Sequence, residues 1–281
     1  MRPTTSELVL ERGRAERHYW RDLWRYRELL YILAWRDISV RYKQTVIGLI
    51  WALIQPLSTM LVMTVIFGQV AKLPSEGSAP YAVMVYAAML PWQFFSSALA
   101  SASQSLVGNA NLISKVYFPR MLVPAGAVAT SFVDFLFSFA ILVGMFGWFN
   151  LWPGLRLITL PAFIFLAFLA ALGPGLLISA LNVKYRDFRY VIPFIVQFGL
   201  YLSPVGFSSA VVRERFGDRL FMLYSLNPMV GVIDGFRWAI LGDQSRIFWP
   251  GFLLSLLVVA ILLFVGIWYF RRTERTFADV I

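Results

Sequence analysis

The sequence predicts an all-α polytopic membrane protein: six transmembrane helices, an N-terminal amphipathic interface helix before them, and external helices that re-enter the outer leaflet. Three observations predict it. Of 281 residues, 59% are hydrophobic and 14% charged, whereas a soluble domain is roughly a quarter charged. The charges leave six long intervals between them, and the basic residues gather at the ends of those intervals. A charged side chain costs several kcal/mol in hydrocarbon, so the spacing of charges maps the spans.

The intervals run from Lys43 to Lys72, Glu76 to Lys115, Arg120 to Arg156, Arg156 to Lys184, Arg189 to Arg213, and Arg246 to Arg271. Asp134 is the only charge inside any of them. About 20 helical residues cross the hydrocarbon core, which places spans near 47–70, 81–104, 122–147, 157–181, 191–209 and 248–270. The chain then divides into a tail and interface helix (1–46), a six-span domain (47–270) and a second tail (271–281). The charged first 43 residues hold no apolar stretch with a small-residue cleavage site, so the first span is expected to serve as the insertion signal.

Loop charge sets the orientation. The loops at 1–46, 105–121, 182–190 and 271–281 share one side and hold eighteen of the 25 Lys and Arg residues. That excess faces the cytoplasm, so both termini are expected there, in a multi-pass protein. The formal net charge of +10 then answers to anionic membrane lipids rather than nucleic acid.

The first element carries an aromatic stripe of Trp20, Leu23, Trp24, Tyr31, Ala34, Trp35, Ile38 and Tyr42 at helical spacing. Arg21, Arg25, Glu28 and Arg36 lie outside it, and Arg27 interrupts it. Such a helix lies in the interfacial plane, either as a membrane-surface anchor or as a collar that transmits force. Trp51, Trp92, Trp148, Trp152, Trp249, Trp268 and Tyr269 fall where interfacial aromatics belong. In the fifth interval Pro193, Gly199, Pro204 and Gly206 predict a short or broken span. The external segment that follows holds Val230–Leu241, an amphipathic candidate with Asp234 and Arg237 three residues apart. Gly173, Pro174 and Gly175 read as a kink or a close helix contact.

Several chemistries are excluded. The absence of cysteine rules out disulfides and thiolate metal sites. The single His18 sits in the charged tail, which disfavours zinc and histidine-dependent hydrolysis, so no catalytic or metal-binding residues are assigned. Asp134 is the one intramembrane acid. It reads as structural, neutral or paired to a neighbouring helix, or as an ion-coupling group; no basic partner lies within the spans. Deep aromatics (Tyr86, Phe94, Phe95, Phe132, Phe135 and Phe139) offer weak stacking contacts to an amphipathic substrate, or equally pack a core or face lipid.

Specific motifs add a resemblance. The stretch Ile47–Pro56 (IGLIWALIQP) resembles the first span of type-2 ABC exporter permeases. The loop Asn111–Arg120 (NLISKVYFPR), followed by Pro124, is similar to that family's most recognisable segment. Leu181–Phe188 (LNVKYRDF), Tyr201–Val205 (YLSPV) and Asn227–Arg237 follow in the family's order. Together they cover the chain from about residue 30 to its end, and the nearest branch exports O-antigen, capsule and teichoic-acid precursors.

The resemblance implies a permease in the bacterial inner membrane, working as two copies of this chain with two copies of a separate nucleotide-binding subunit. ATP and magnesium would bind that partner, since no phosphate-binding glycine loop occurs here. The 105–121 loop would be the coupling element: Leu112, Ile113, Val116, Tyr117 and Phe118 supply an apolar contact face, Pro119 shapes it, and Lys115 and Arg120 hold it at the headgroups. An ordinary basic turn is the rival reading. Trp35 and Arg36, within Trp24–Tyr42, would complete that interface, and Lys184–Asp187 would brace it. The 207–243 segment would form external gate helices in which Asp234 and Arg237 pair or contact sugar. A lipid-linked polysaccharide would pass between the two copies along the aromatic residues. The alternatives are a permease for drugs or small lipids, a membrane-embedded glycan-modifying enzyme, and a scaffold.

Overall fold

The computed structural model describes residues 19–43, 46–242 and 245–277, with the side chains of residues 43 and 46–52 outside the description. His18 and the Trp51 side chain therefore lie outside the described residues. The described chain is helical throughout, in the order α1 (Tyr19–Arg25), α2 (Arg27–Lys43), α3 (Val46–Met63), α4 (Tyr81–Gly108), α5 (Ala110–Lys115), α6 (Leu122–Trp148), α7 (Leu160–Lys184), α8 (Phe188–Leu202), α9 (Ser209–Tyr224), α10 (Pro228–Leu241) and α11 (Trp249–Thr273). A π-helical turn, Thr64–Val70, extends α3, and short 3₁₀ turns precede α7 and follow α11.

Among the described residues five helical segments are long and apolar enough to cross a membrane: Leu53–Val70, Tyr81–Gly108, Leu122–Trp148, Leu155–Lys184 and Trp249–Thr276. The protein is a polytopic α-helical membrane protein. The fifth interval behaves differently. It forms α8, a shorter apolar helix of 15 residues, about 22 Å long at 1.5 Å per residue. Proline does not break it: α8 runs through Pro193 and ends at Leu202. Proline within a helix removes one backbone hydrogen bond, and here the irregular stretch comes instead at Ser203–Phe207, around Pro204 and Gly206.

Helix α4 is the hub. In its most apolar window 78% of residues are buried, against 17–50% in the other four spans, and it packs against α3, α6, α7, α8 and α10. Ala87, Ala88, Ala98 and Ala102 keep its surface slim enough for this. Small residues also join α7 to α11: a Cβ on Gly266 would fall 2.2 Å from the Gly173 carbonyl oxygen, so the backbones touch there, as in other membrane helix pairs. A buried polar tie crosses from α7 to α4, where Asn182 Nδ2 donates to the Ser103 carbonyl at 2.8 Å.

Trp148, Trp152, Trp249 and Trp268 are exposed. Trp92 is not; it is buried against α8, where a Cβ on Gly199 would meet its ring at 2.5 Å. The aromatic stripe of the N-terminal element splits at Tyr26 into two helices. Leu23, Tyr26, Leu29, Leu30 and Leu33 face the protein, while Trp20, Trp24, Tyr31 and Trp35 point away from it. The buried face of this element thus combines leucines with Tyr19 and Tyr26, and its tryptophans are left for whatever lies outside.

Helix α2 runs alongside α6. Leu33 lies over Gly126, whose Cβ would sit 3.7 Å from the Leu33 Cβ. Eight residues further along both helices, Arg41 and Tyr42 each donate to the Asp134 carboxylate. This supplies the basic partner that the spans themselves lack. The acid is held level with the residues that lead into α3, so a structural role fits it.

Candidate functional site

Three places carry the residues singled out by sequence. The first is one end of the bundle, where α1, α5, the following loop and the end of α11 meet. Tyr19 Oη donates to Glu274 Oε2 at 2.8 Å, and burial, followed by the nearby Glu274 charge, pushes the Tyr19 hydroxyl above its ordinary range. Arg120 donates to the Glu274 backbone carbonyl. Asn109 closes α4 and opens α5: its Nδ2 donates to the Ser105 carbonyl at 2.8 Å, and its Oδ1 accepts from Arg36 Nη2 at 2.8 Å.

A helix of six residues has too few internal hydrogen bonds to stand alone, so this loop anchors itself with its own apolar groups. Ile113 and Phe118 are only 2% and 4% exposed, in a cluster with Tyr19, Leu33, Phe270 and Phe277. Pro119 is also buried, and Leu112 and Arg120 are half-buried. The expected contact face therefore shrinks to Lys115, Val116 and Tyr117, the last two 51% and 52% exposed. Arg120 serves the fold through Glu274. Tyr117 lies beside Asp22 of α1; partial burial and then the Asp22 and Glu274 charges raise its pKa. An open cavity of about 300 Å³ separates this loop from α1 and α11, with Asp22, Tyr117, Arg120 and Glu274 on its walls. Trp35 remains exposed, stacked on Tyr31 with ring centroids 6.2 Å apart.

The second place is the aromatic group between α4 and α6. The six rings expected along a path stand in or against the core of the single chain. Tyr86, Phe94, Phe95 and Phe135 are buried, and Phe132 and Phe139 pack against them. Phe132 stacks on Phe135 at 5.5 Å, Phe94 meets both, and Phe135 reaches Phe236 of α10. Tyr86 Oη donates to the Ser138 carbonyl at 3.0 Å. These rings join helices.

A different aromatic row is left uncovered. Tyr190, Phe194, Phe198 and Tyr201 of α8 are all exposed, at spacings of four, four and three residues on one helical face. Gln197 of α8 and Gln55 and Ser58 of α3 are exposed as well. That spacing was visible in the sequence; reading Pro193 as a break concealed it.

The third place is the opposite end. Arg237 is fully buried, with Nη1 donating to the Phe207 carbonyl at 2.9 Å, Nη2 to Val205 at 3.1 Å and Nε to Met84 at 3.3 Å. Its acidic partner is Glu76, at 3.6 Å, and not Asp234. Glu76 Oε1 also accepts from Ser208 Oγ at 2.8 Å. Tyr81 Oη donates to the Gly206 carbonyl at 2.6 Å. Arginine's planar fork suits three carbonyls and a carboxylate at once.

This arrangement pins the 71–80 loop and the 203–208 stretch to α10. Helix α10 is buried nearly all round, wedged against α4, α7 and α11, so the expected amphipathic face is absent. The charged and exposed helix here is α9, kinked at Gly217, where φ is +78°. Asp234, outside the five spans, has its pKa pushed up to about 7, first by burial and then by the Glu76 charge. Glu76 escaped the sequence reading because it looks like an ordinary loop charge.

Comparison with known proteins fits this geometry. The chain is similar to O-antigen export system permease proteins RfbA from Klebsiella pneumoniae, one of them 24% identical over 261 residues, covering 90% of this chain and 95% of that protein. RfbA from Myxococcus xanthus is 23% identical over 217 residues, covering 77% and 82%. The capsule polysaccharide export inner-membrane protein CtrC of Neisseria meningitidis serogroup A is 26% identical over 225 residues, covering 75% and 78%. Residues 28–241, which run from α2 to the end of α10, match the ABC-2 type transporter family, and the chain belongs to that family.

Proposed function

We propose that this chain is the permease subunit of an exporter that moves lipid-linked cell-surface polysaccharide across the bacterial inner membrane. Two copies of the chain pair, and two copies of a separate subunit bind and hydrolyse ATP with magnesium. The end bearing α1, α5 and the last turn of α11 faces the cytoplasm, as its basic loops favour. The observation that carries this reading is the family membership of residues 28–241 combined with relatives named for O-antigen and capsule export.

The geometry supplies the working parts. Lys115, Val116 and Tyr117 offer the ATPase a small exposed face on a loop whose other side is locked into the core. Arg36 ties that loop to α2, so a push on the loop reaches α6 through the α2 packing. The polymer passes between the copies along α8 and α3. Exposed glutamines are costly against lipid and favour a water-lined surface, and the α8 rings give shallow, replaceable stacking contacts beside them. At the outer end, α9 and α10 form the exit region, with α9 kinked at Gly217 and α10 held by Arg237.

Deleting the protein from its own cells tests this. The expected result is loss of surface polysaccharide with accumulation of its lipid-linked form inside. Normal surface polymer, or accumulation of a drug or small lipid instead, contradicts it.

A further inference from the structure

We propose that the last turns of α11, together with Trp20 of α1, form a binding site for an anionic phospholipid. The site lies on the outer flank of the bundle, away from α3 and α8, and stands whether or not the export reading does.

The argument starts from one stripe of α11. Leu253, Leu257, Ile261, Phe264 and Trp268 are all exposed, and their spacing of four, four, three and four residues puts them on one face. An exposed apolar row along a membrane-spanning helix is a surface for acyl chains. Arg272 continues the same row one turn beyond Trp268, and Arg275 and Arg271 flank it. Where the apolar row ends and the charges begin, the surface hollows into an open cavity of about 620 Å³. Phe264, Ile267 and Trp268 form its apolar wall, the three arginines its charged end, and Trp20 closes it from α1.

Two of the three cations are held in place before any ligand arrives. The Arg271 guanidinium lies 4.7 Å from the centre of the Tyr19 ring, and that of Arg272 lies 5.5 Å from the Trp268 ring. Tyr19 is itself fixed by its hydrogen bond to Glu274. Among the described residues no acidic side chain lines the cavity; Glu274 lies on the wall of the neighbouring one. A helix C-terminus disfavours anions, so the three guanidinium groups must carry the recognition, which guanidinium–phosphate pairing does well. A phosphate diester whose acyl chains follow the apolar row satisfies both halves of the surface. An acidic peptide or free phosphate would leave the row from Leu253 to Trp268 uncovered.

The test uses the purified full chain in phosphatidylcholine vesicles with a fixed fraction of phosphatidylglycerol. Bromine, which quenches tryptophan, is carried on the acyl chains of one lipid or the other. Brominated phosphatidylglycerol is expected to quench more than brominated phosphatidylcholine, with about a 30- to 150-fold preference in apparent affinity for two to three arginines near the headgroups. Arg272→Gln with Arg275→Gln, both on exposed side chains, should abolish the preference while leaving the Arg271–Tyr19 stack intact. Trp268→Phe should remove most of the excess signal, and Arg213→Gln, at the other end, should leave it. Equal quenching by the two lipids overturns the proposal, as does a preference that survives the double substitution. Loss of the preference on adding inorganic phosphate would assign the arginines to free phosphate and likewise overturn it.

Discussion

Arg36 of α2 donates to Asn109, the residue between α4 and α5, at 2.8 Å, while the same guanidinium bonds Asp37. One side chain thus joins the N-terminal element to the loop proposed to meet the ATPase. Arg36 is exposed, so this bond adds little stability, typically ~0.5 kcal/mol for exposed charged contacts. Its value is geometric. Arg36→Gln should leave thermal unfolding within about 2 °C while lowering polymer exported per ATP hydrolysed, measured in reconstituted vesicles. An unchanged ratio would remove Arg36 from the coupling path.

Phe118 and Tyr117 are adjacent in sequence and opposite in role. Phe118→Ala empties a buried site and should cost about 3–5 kcal/mol, seen as a large drop in unfolding temperature. Tyr117→Ala touches an exposed ring and should cost within about 0.5 kcal/mol, yet weaken association with the ATPase. The two effects separate in one pair of experiments: unfolding of the chain, and co-purification of its partner.

Arg237 should tolerate no replacement. Arg237→Ala leaves the Met84, Val205 and Phe207 carbonyls and Glu76 without their donor in a buried place, for about 3–5 kcal/mol. Arg237→Lys should recover only part of it, because an ammonium cannot reach three carbonyls in a plane. Unfolding in detergent measures both, and a stable Arg237→Ala protein would show that the guanidinium does not hold α10.

Asp234 makes the outer cluster pH-dependent. Its ordinary value is 3.8, and in the fold it is about 7. Between these values the folded state binds the extra proton, so stability falls as pH rises from about 4 to 7 and levels off above. Asp234→Asn should flatten that dependence without loss of the fold. An identical slope in the variant would place the titration elsewhere.

Asp134 and Arg41 are both partly exposed, so their pair is worth less than a buried one, on the order of 1 kcal/mol. Asp134→Asn keeps an acceptor for Tyr42 and Arg41 and should cost no more than that, with export retained. Loss of export from a folded Asp134→Asn protein would favour an ionic role for the acid.

The spans were legible because lipid penalises charge whatever the tertiary contacts, and five intervals became membrane-length helices on that ground alone. Close helix contacts at Gly173 were legible too, since only a small residue admits a neighbouring backbone. What failed to show was direction. Ile113, Phe118 and Val116 have the same composition signature, and only the packing of a short loop decides which two turn inward. For the six rings between α4 and α6, path, core and lipid face all stayed open in the sequence, because hydrophobicity cannot tell a buried face from a lumen. Glu76 and Arg41 were hidden for another reason: each meets its partner across long sequence separation, Arg237 and Asp134 respectively, so no local spacing announces them.

The most direct test of the coupling surface is site-specific photo-crosslinking in native membranes. A crosslinker at Tyr117 should capture the ATPase subunit in high yield, whereas one at Ile113, four residues earlier and buried, should capture only this chain's own helices. Equal capture of the ATPase from both positions, or from neither, would contradict the account.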